Sequence, residues 1–297
     1  MNAIVLQHPH LATARPQPRI RTDVRHLQSD ALWITLGKDP ATGLQNFTPD
    51  LVEEFMGLVE ELHDSRRKEP MPHYAVVQSA HPEYFSMGGD LRFFRDCIQR
   101  RDAAQLRKYS MRCLDLLLSW GGKFKETTTS IALVQGRALG GGFEMALSTD
   151  YLIAEEHSSF GFPEIMFGLF PCTGAMGLLA PRIGARNAER RMTNKKIYTA
   201  AELYDMGLVD EICAKGQGEL AVERFVGNHS SRLKARLKVQ QSRCRHDQLA
   251  QAEGVRVVED WVETAMCLST EELRSMDMLI MMQSREAGLP QGRQAAA

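Results

Sequence analysis

No charge of either sign dominates this 297-residue chain: 36 lysines and arginines stand against 37 aspartates and glutamates, a formal net charge of −1. A bulk electrostatic pull towards nucleic acid or an anionic membrane is thereby excluded, and an anionic partner has to be met locally. Cysteine is thinly spread. Cys97, Cys113, Cys172, Cys213, Cys244 and Cys267 show no CxxC spacing and no matching histidine pair, so neither a zinc site nor a disulfide framework is signalled and a reducing cytoplasm fits. No run reaches about 18 consecutive apolar residues, which argues against membrane insertion by a helix. The opening MNAIVLQHPHLATARPQPR has no basic lead before a long apolar stretch and is broken by Pro16 and Pro18, so residues 1–24 read as a loose tail and not a signal peptide. No Gly-Lys-Ser/Thr follows any glycine cluster and no GxGxxG is present, which disfavours nucleotide-phosphate binding. Nine histidines are scattered with no helix-spaced pair and none beside a nucleophile-elbow serine, so a Ser-His triad is not expected.

What is present is an ordinary soluble composition, 43% hydrophobic and 25% charged, in a chain long enough to bury a sizeable core. From about Asp30 to Phe170 short apolar runs (ALWITL, YAVVQSA, SIALVQG, YLIAEE) alternate with helix-like segments, predicting an α/β core with crossover connections. Past Gly216 strand signals stop, which sets a boundary near residue 215 between a core of residues 25–215 and a helical region of residues 216–297. Helices are expected over Glu219–Phe225, Ser231–Gln241, Ala252–Leu268 and Glu271–Ala287. The last is punctuated by a capping box, Ser269 with Glu272, and by Gly288 and Pro290. Val258, Trp261, Val262, Ala265 and Leu268 form an apolar stripe that must pack on the core or on another subunit.

Three segments can carry chemistry. In IALVQGRALGGGFEMALSTDYLIAEE a glycine-rich turn joins a strand to a helix, where free N–H groups and the helix dipole suit an anion or a developing oxyanion. Glu144, three residues after Gly141, shares the face of the first helical turn with the Gly141 amide. The alternative is a packing turn followed by a helix-favouring acid. HPEYFSMGGDLRFF repeats the arrangement, so Gly89 and Gly141 together offer the two amides that grip one carbonyl oxygen whose charge rises during reaction. In SSFGFPEIMFGLFP, Glu164 is bracketed by Phe162, Pro163, Ile165 and Phe167. Desolvation there raises a carboxyl pKa towards neutrality, as a general acid or base requires; alternatively the side chain escapes to solvent or pairs with Arg182 or Arg186. Cys172 reads as a core or pocket-wall thiol and Asp150 as structural. The run Asp64–Lys68 is a solvated surface or a contact for a phosphate-bearing carrier, and the methionines between Met276 and Met282 are core filler or an adaptable acyl lining.

Taken together, FSMGGDL, GRALGGGFEMALSTDYLIA and FGFPEIMFGLFP resemble the crotonase (enoyl-CoA hydratase/isomerase) superfamily over most of residues 30 to 215. The resemblance implies a spiral of ββα units, a C-terminal helical region used in trimer formation, an oxyanion hole made by Gly89 and Gly141, and an acid/base pair at Glu144 and Glu164. Within the superfamily the chain is most similar to the bacterial diffusible signal factor (DSF) synthases of the RpfF type, a likeness that extends to VEDWVETAM and LRSMDMLIMMQSREAGL. That likeness implies dehydration of a 3-hydroxyacyl thioester on acyl carrier protein to a cis-2-enoyl thioester, followed by hydrolysis that frees a cis-2-unsaturated quorum-sensing acid. It places Leu139, Trp261 and Leu279 on the acyl pocket, with Thr173 as a further substrate-binding position; Cys172-Thr173 departs from the Gly-Met expected after the LFP turn. A sensor kinase is a possible partner, and no metal or redox cofactor is implied. The competing readings are an enoyl-CoA hydratase or isomerase of fatty-acid degradation acting on CoA thioesters, and a noncatalytic regulatory protein of the same fold.

Overall fold

The computed structural model describes residues 18–64, 70–121, 127–246 and 250–286. Among them the chain opens with β1 (Ile20–His26) and β2 (Asp30–Leu36), an antiparallel pair, and passes through α1 (Pro49–Leu62) into repeats of one pattern. Each repeat puts a long strand into a six-stranded sheet, a short strand into a four-stranded sheet, and then a helix or turn. The first is β3 (Tyr74–Ser79), β4 (Tyr84–Ser86) and α2 (Leu91–Gln99), with α3 (Ala103–Gly121) appended. The second is β5 (Thr129–Val134), β6 (Arg137–Leu139) and α4 (Gly141–Ser148), and the third is β7 (Tyr151–Glu155), β8 (Ser159–Gly161) and a 3₁₀ turn over Glu164–Phe167. There follow α5 (Ala175–Ile183), α6 (Ala185–Thr193), β9 (Tyr198–Thr199), α7 (Ala200–Asp205) and β10 (Glu211–Cys213), and then α8 (Gly218–Ser230), α9 (Leu233–His246), α10 (Gln251–Met266) and α11 (Thr270–Glu286). The sheet orders are β1-β2-β3-β5-β7-β10 and β4-β6-β8-β9. This is the α/β spiral of ββα units with trailing helices that the resemblance implies.

The four apolar runs seen in the sequence are β2, β3, β5 and β7. They read as nearly unbroken hydrophobic stretches because both sheet faces are covered. Leu32, Ile34, Val77 and Val134 face the main core, while the alternating Trp33, Val76, Ile131 and Leu133 face Val222 and Val226 of α8. The short strands β4, β6 and β8 have three residues each, too few to show a period of two, and they leave no comparable signal. Residues 20–24, expected to belong to a loose tail, instead lie in β1. Its backbone pairs with β2 along its whole length, but only Ile20 is buried, so its sequence carries no apolar alternation.

Register decides where a site can form. Ser86 pairs with Ala138, Ala138 with Phe160, and Leu139 with Gly161, all in parallel. The segments leaving β4, β6 and β8 therefore emerge side by side, at the carboxyl ends of strands, where open α/β sheets place their ligands. Over these segments α11 crosses the 3₁₀ turn and α2, and α10 lies along α3. The α10 stripe is buried as expected at Val258, Trp261, Val262 and Ala265, with Leu268 partly covered. The capping box forms too: Ser269 donates to Glu272 Oε2 through N–H (2.8 Å) and hydroxyl (2.7 Å). The methionine cluster is corrected in part: Met276 is buried and Met282, though largely exposed, borders a cavity, whereas Met278 and Met281 are exposed. Residues 65–68 of the basic run, Ala287, Gly288 and Pro290 lie outside the described residues. No helix among the described residues is long and apolar enough to cross a membrane.

Candidate active site

Gly89 follows β4 and precedes α2, whose first turn is capped by Asp90 accepting from the N–H groups of Arg92 and Phe93. Gly140 caps α4 with φ +51°, a left-handed conformation that favours glycine, and Gly141 begins the helix. The two turns, 52 residues apart, are in van der Waals contact: a Cβ built on Gly141 would stand 3.7 Å from Gly89 N and 4.0 Å from Glu144 Oε2. A Cβ on Gly140 would collide with Glu164 Oε1, so the second carboxylate lies directly against the glycine turn. Among the described residues neither the Gly89 nor the Gly141 N–H donates to a protein acceptor. Two free amides and two carboxylates thus share the wall of one cavity that is mostly apolar in lining.

The two carboxylates are held very differently. Glu144 is buried, and its Oε1 accepts from the N–H groups of Thr173 (3.0 Å) and Ala175 (2.9 Å), its Oε2 from the Thr173 hydroxyl (2.7 Å). It caps the start of α5 while standing in the first turn of α4, so two helix N-termini face it. Burial raises its pKa, and these donors pull it back down. Glu164 opens the 3₁₀ turn, and although the residue as a whole is half-buried, its Oε2 is closed to solvent and has no hydrogen-bond partner. Burial, with repulsion from Glu144 added, pushes its pKa up to about 8. The arginines that might have neutralised it are engaged elsewhere: Arg182 donates to the carbonyls of Leu147 and Thr149, and Arg186 pairs with Glu189.

Of the positions singled out in the sequence, Gly89, Gly141, Glu144, Glu164, Thr173 and Trp261 line this cavity, as does the Cys172 thiol. Leu139 and Leu279 line an adjoining one, and Trp261, Glu164, Phe94 and Gly89 form the partition shared by both. Thr173 reaches the wall, but its N–H and hydroxyl are both spent on Glu144, a pairing across 29 residues that no local pattern announces. Unforeseen in the sequence are Tyr109 and Cys113, which α3 brings into the same wall. Tyr109 donates to the carbonyl of Phe47 (2.5 Å), and Phe47 in turn bridges to Gly89. A helical stripe on α3 could have marked both as inward-facing, but not what they face. Asp150, away from the cavity, accepts from the N–H and hydroxyl of Ser130, the structural role anticipated for it.

Comparison with known proteins follows the same lines. The family model described as enoyl-CoA hydratase/isomerase matches residues 38–253. A probable enoyl-CoA hydratase of Mycobacterium leprae is 32% identical over 138 residues, 46% of this chain and 50% of that protein. The cyclohexa-1,5-dienecarbonyl-CoA hydratase of Thauera aromatica is 31% identical over 169 residues, covering 54% of this chain and 61% of that protein. The chain thus spans about half the length of the first curated relatives it matches. The solved enoyl-CoA hydratase of Bacillus halodurans superposes with a TM-score of 0.70 over 88% of this chain and 99% of that one at 23% identity, a likeness of fold. With a family model matched over most of its length and the ββα spiral in place, the chain belongs to the enoyl-CoA hydratase/isomerase family.

Proposed function

We propose that the chain adds water to, and in reverse removes it from, the α,β-carbon pair of an acyl thioester. The thioester oxygen would accept from the Gly89 and Gly141 amides, each such donor being worth on the order of 3 kcal/mol as negative charge develops. The observation that carries this reading is the unequal carboxylate pair: Glu144 is held by three donors on both its oxygens, whereas Glu164 keeps a buried Oε2 with no partner, at the edge of that same cavity. Two like charges in one buried site share a single proton, and the donors around Glu144 leave it with Glu164. That state suits hydration. Glu144 takes a proton from water as the water oxygen bonds to Cβ, the electron pair of the double bond moves to the thioester oxygen, and collapse of the enolate takes the Glu164 proton onto Cα. Dehydration is the reverse, with Glu164 removing the α-proton and Glu144 protonating the departing 3-hydroxyl.

A finer reading, in the direction of DSF synthesis, is favoured by the wall that α10 and α11 add. Trp261 divides the two cavities, and Leu279 and Met282 line the second, so the C-terminal helices enclose space beside the reacting carbons. A 3-hydroxyacyl chain on acyl carrier protein would be dehydrated there to a cis-2-enoyl thioester. A water activated by either carboxylate would then attack the carbonyl still held by the two amides, releasing the free acid and the carrier thiol. Purified protein should hydrate 2-enoyl-CoA, read as loss of conjugated-thioester absorbance; absence of turnover across chain lengths on both CoA and carrier protein overturns the hydratase reading. Mass spectrometry of reactions with 3-hydroxyacyl carrier protein should show a free cis-2-unsaturated acid. Hydration without release of any acid leaves the CoA-thioester hydratase and removes the finer assignment.

A further inference from the structure

Resting on the hydratase reading above, we propose that Thr173 is a positioning residue that keeps Glu144 ionised and aimed, and so assigns the pair's one proton to Glu164. Its position carries the argument. Thr173 is buried, and it gives Glu144 one bond to each carboxylate oxygen, N–H to Oε1 and hydroxyl to Oε2, which fixes both the rotation and the tilt of the carboxylate. The neighbouring Ala175 N–H can come from any residue but proline at that position, whereas the Oε2 contact exists only because position 173 carries a hydroxyl. Oε2 lies 4.0 Å from where a Cβ on Gly141 would stand, and both residues line the cavity in which the substrate's β-carbon and a water would be held.

Among the described residues that line this cavity, no titratable side chain besides Glu164 is placed to share the proton. Those facing Glu144 are Glu164 from the 3₁₀ turn, Cys172 from the turn before α5, and Cys113 and Tyr109 from α3. Burial raises Cys113 to about 12 and lifts Cys172 and Tyr109 well above their ordinary values, so all three stay neutral while the carboxylates titrate. Deleting the hydroxyl therefore acts on the carboxylate pair alone: it makes ionised Glu144 harder to form and weakens the bias that places the proton on Glu164.

The test compares Thr173→Val, which keeps the shape and the N–H donor, with Thr173→Ser, which keeps the hydroxyl. Carboxyl ¹³C shifts of labelled glutamate are followed against pH, with Glu144 assigned by the signal lost in Glu144→Gln. Thr173→Val should move the Glu144 titration up by about one pH unit, and Thr173→Ser should leave it in place. In hydration assays the acidic limb of kcat/KM should move up by the same amount in Thr173→Val, with kcat falling more than KM rises. An unmoved Glu144 titration in Thr173→Val, or an equal shift in Thr173→Ser, overturns the proposal. The ¹³C titration needs no turnover, so a protein inactive on every thioester would defeat the hydratase reading and leave the Thr173 result to stand or fall by itself.

Discussion

At the scale of single residues, the candidate site leaves one buried oxygen of Glu164 without a partner and gives both oxygens of Glu144 donors. Glu164 differs from the many glutamates of this chain in what surrounds it, and Glu164→Gln keeps its shape while removing the transferable proton. Hydration by that variant should fall by about 10²- to 10⁴-fold, measured as kcat on a 2-enoyl thioester. The same burial has a stability signature. With its pKa lifted to about 8, the folded protein retains a proton that an unfolded chain, with an ordinary carboxyl near 4.5, has given up. The contribution is full below about 4.5 and is lost as pH rises through about 8. Glu164→Gln should therefore leave stability nearly unchanged at and below pH 4.5 and raise it progressively above that, with about 5 kcal/mol as the ceiling at full ionisation; denaturant melts at several pH values read the difference. The desolvation of this carboxyl is one of the two outcomes the sequence allowed, since an acid among Phe162, Pro163, Ile165 and Phe167 is expected either to be buried or to escape to solvent or an arginine. The anchoring of Glu144 by Thr173 was not legible there, because it joins turns that are distant in the chain.

At the scale of elements, short strands and one helix do what the long, easily recognised elements do not. β4, β6 and β8 are minimal in length, yet their parallel register aligns the turns carrying Gly89, Gly141 and Glu164. The long strands β2, β3, β5 and β7 were evident as apolar runs but serve as the floor. In the C-terminal region the spacing of Val258, Trp261, Val262 and Ala265 predicted a buried stripe correctly, and packing along α3 is what turned Trp261 into a cavity partition. Trp261 also meets Phe94 edge-on, with ring centroids 5.1 Å apart. Trp261→Ala should destabilise the protein by about 3 to 5 kcal/mol in denaturant unfolding. It should also merge the two cavities, so that among the molecules that fold, kcat/KM shifts towards bulkier or longer acyl chains relative to short ones. A destabilised variant with an unchanged chain-length profile would mean that the indole packs without bounding the substrate.

At the scale of the whole molecule, the exposed methionines of α11 matter. Met278, Met281 and Met282 present flexible apolar area to solvent, Met282 at the rim of the second cavity, a surface that an isolated chain gains nothing from exposing. Together with the family resemblance, this predicts a homotrimer, checked by light scattering on the eluting protein. The expected mass is three times that of one chain, and Met278→Lys with Met281→Lys should lower it if α11 contributes to the contact. By itself the sequence singled out the candidate site residues, the glycine turns and the two acids, and the long segments that form strands and amphipathic helices. Both follow from side-chain type and local periodicity. Only the tertiary structure decided that turns 52 residues apart meet, that Glu144 gains three donors while Glu164 Oε2 is left without one, and that Trp261 shares the cavity wall with them. Those outcomes depend on strand register and helix docking, which arise from packing between segments far apart in the chain.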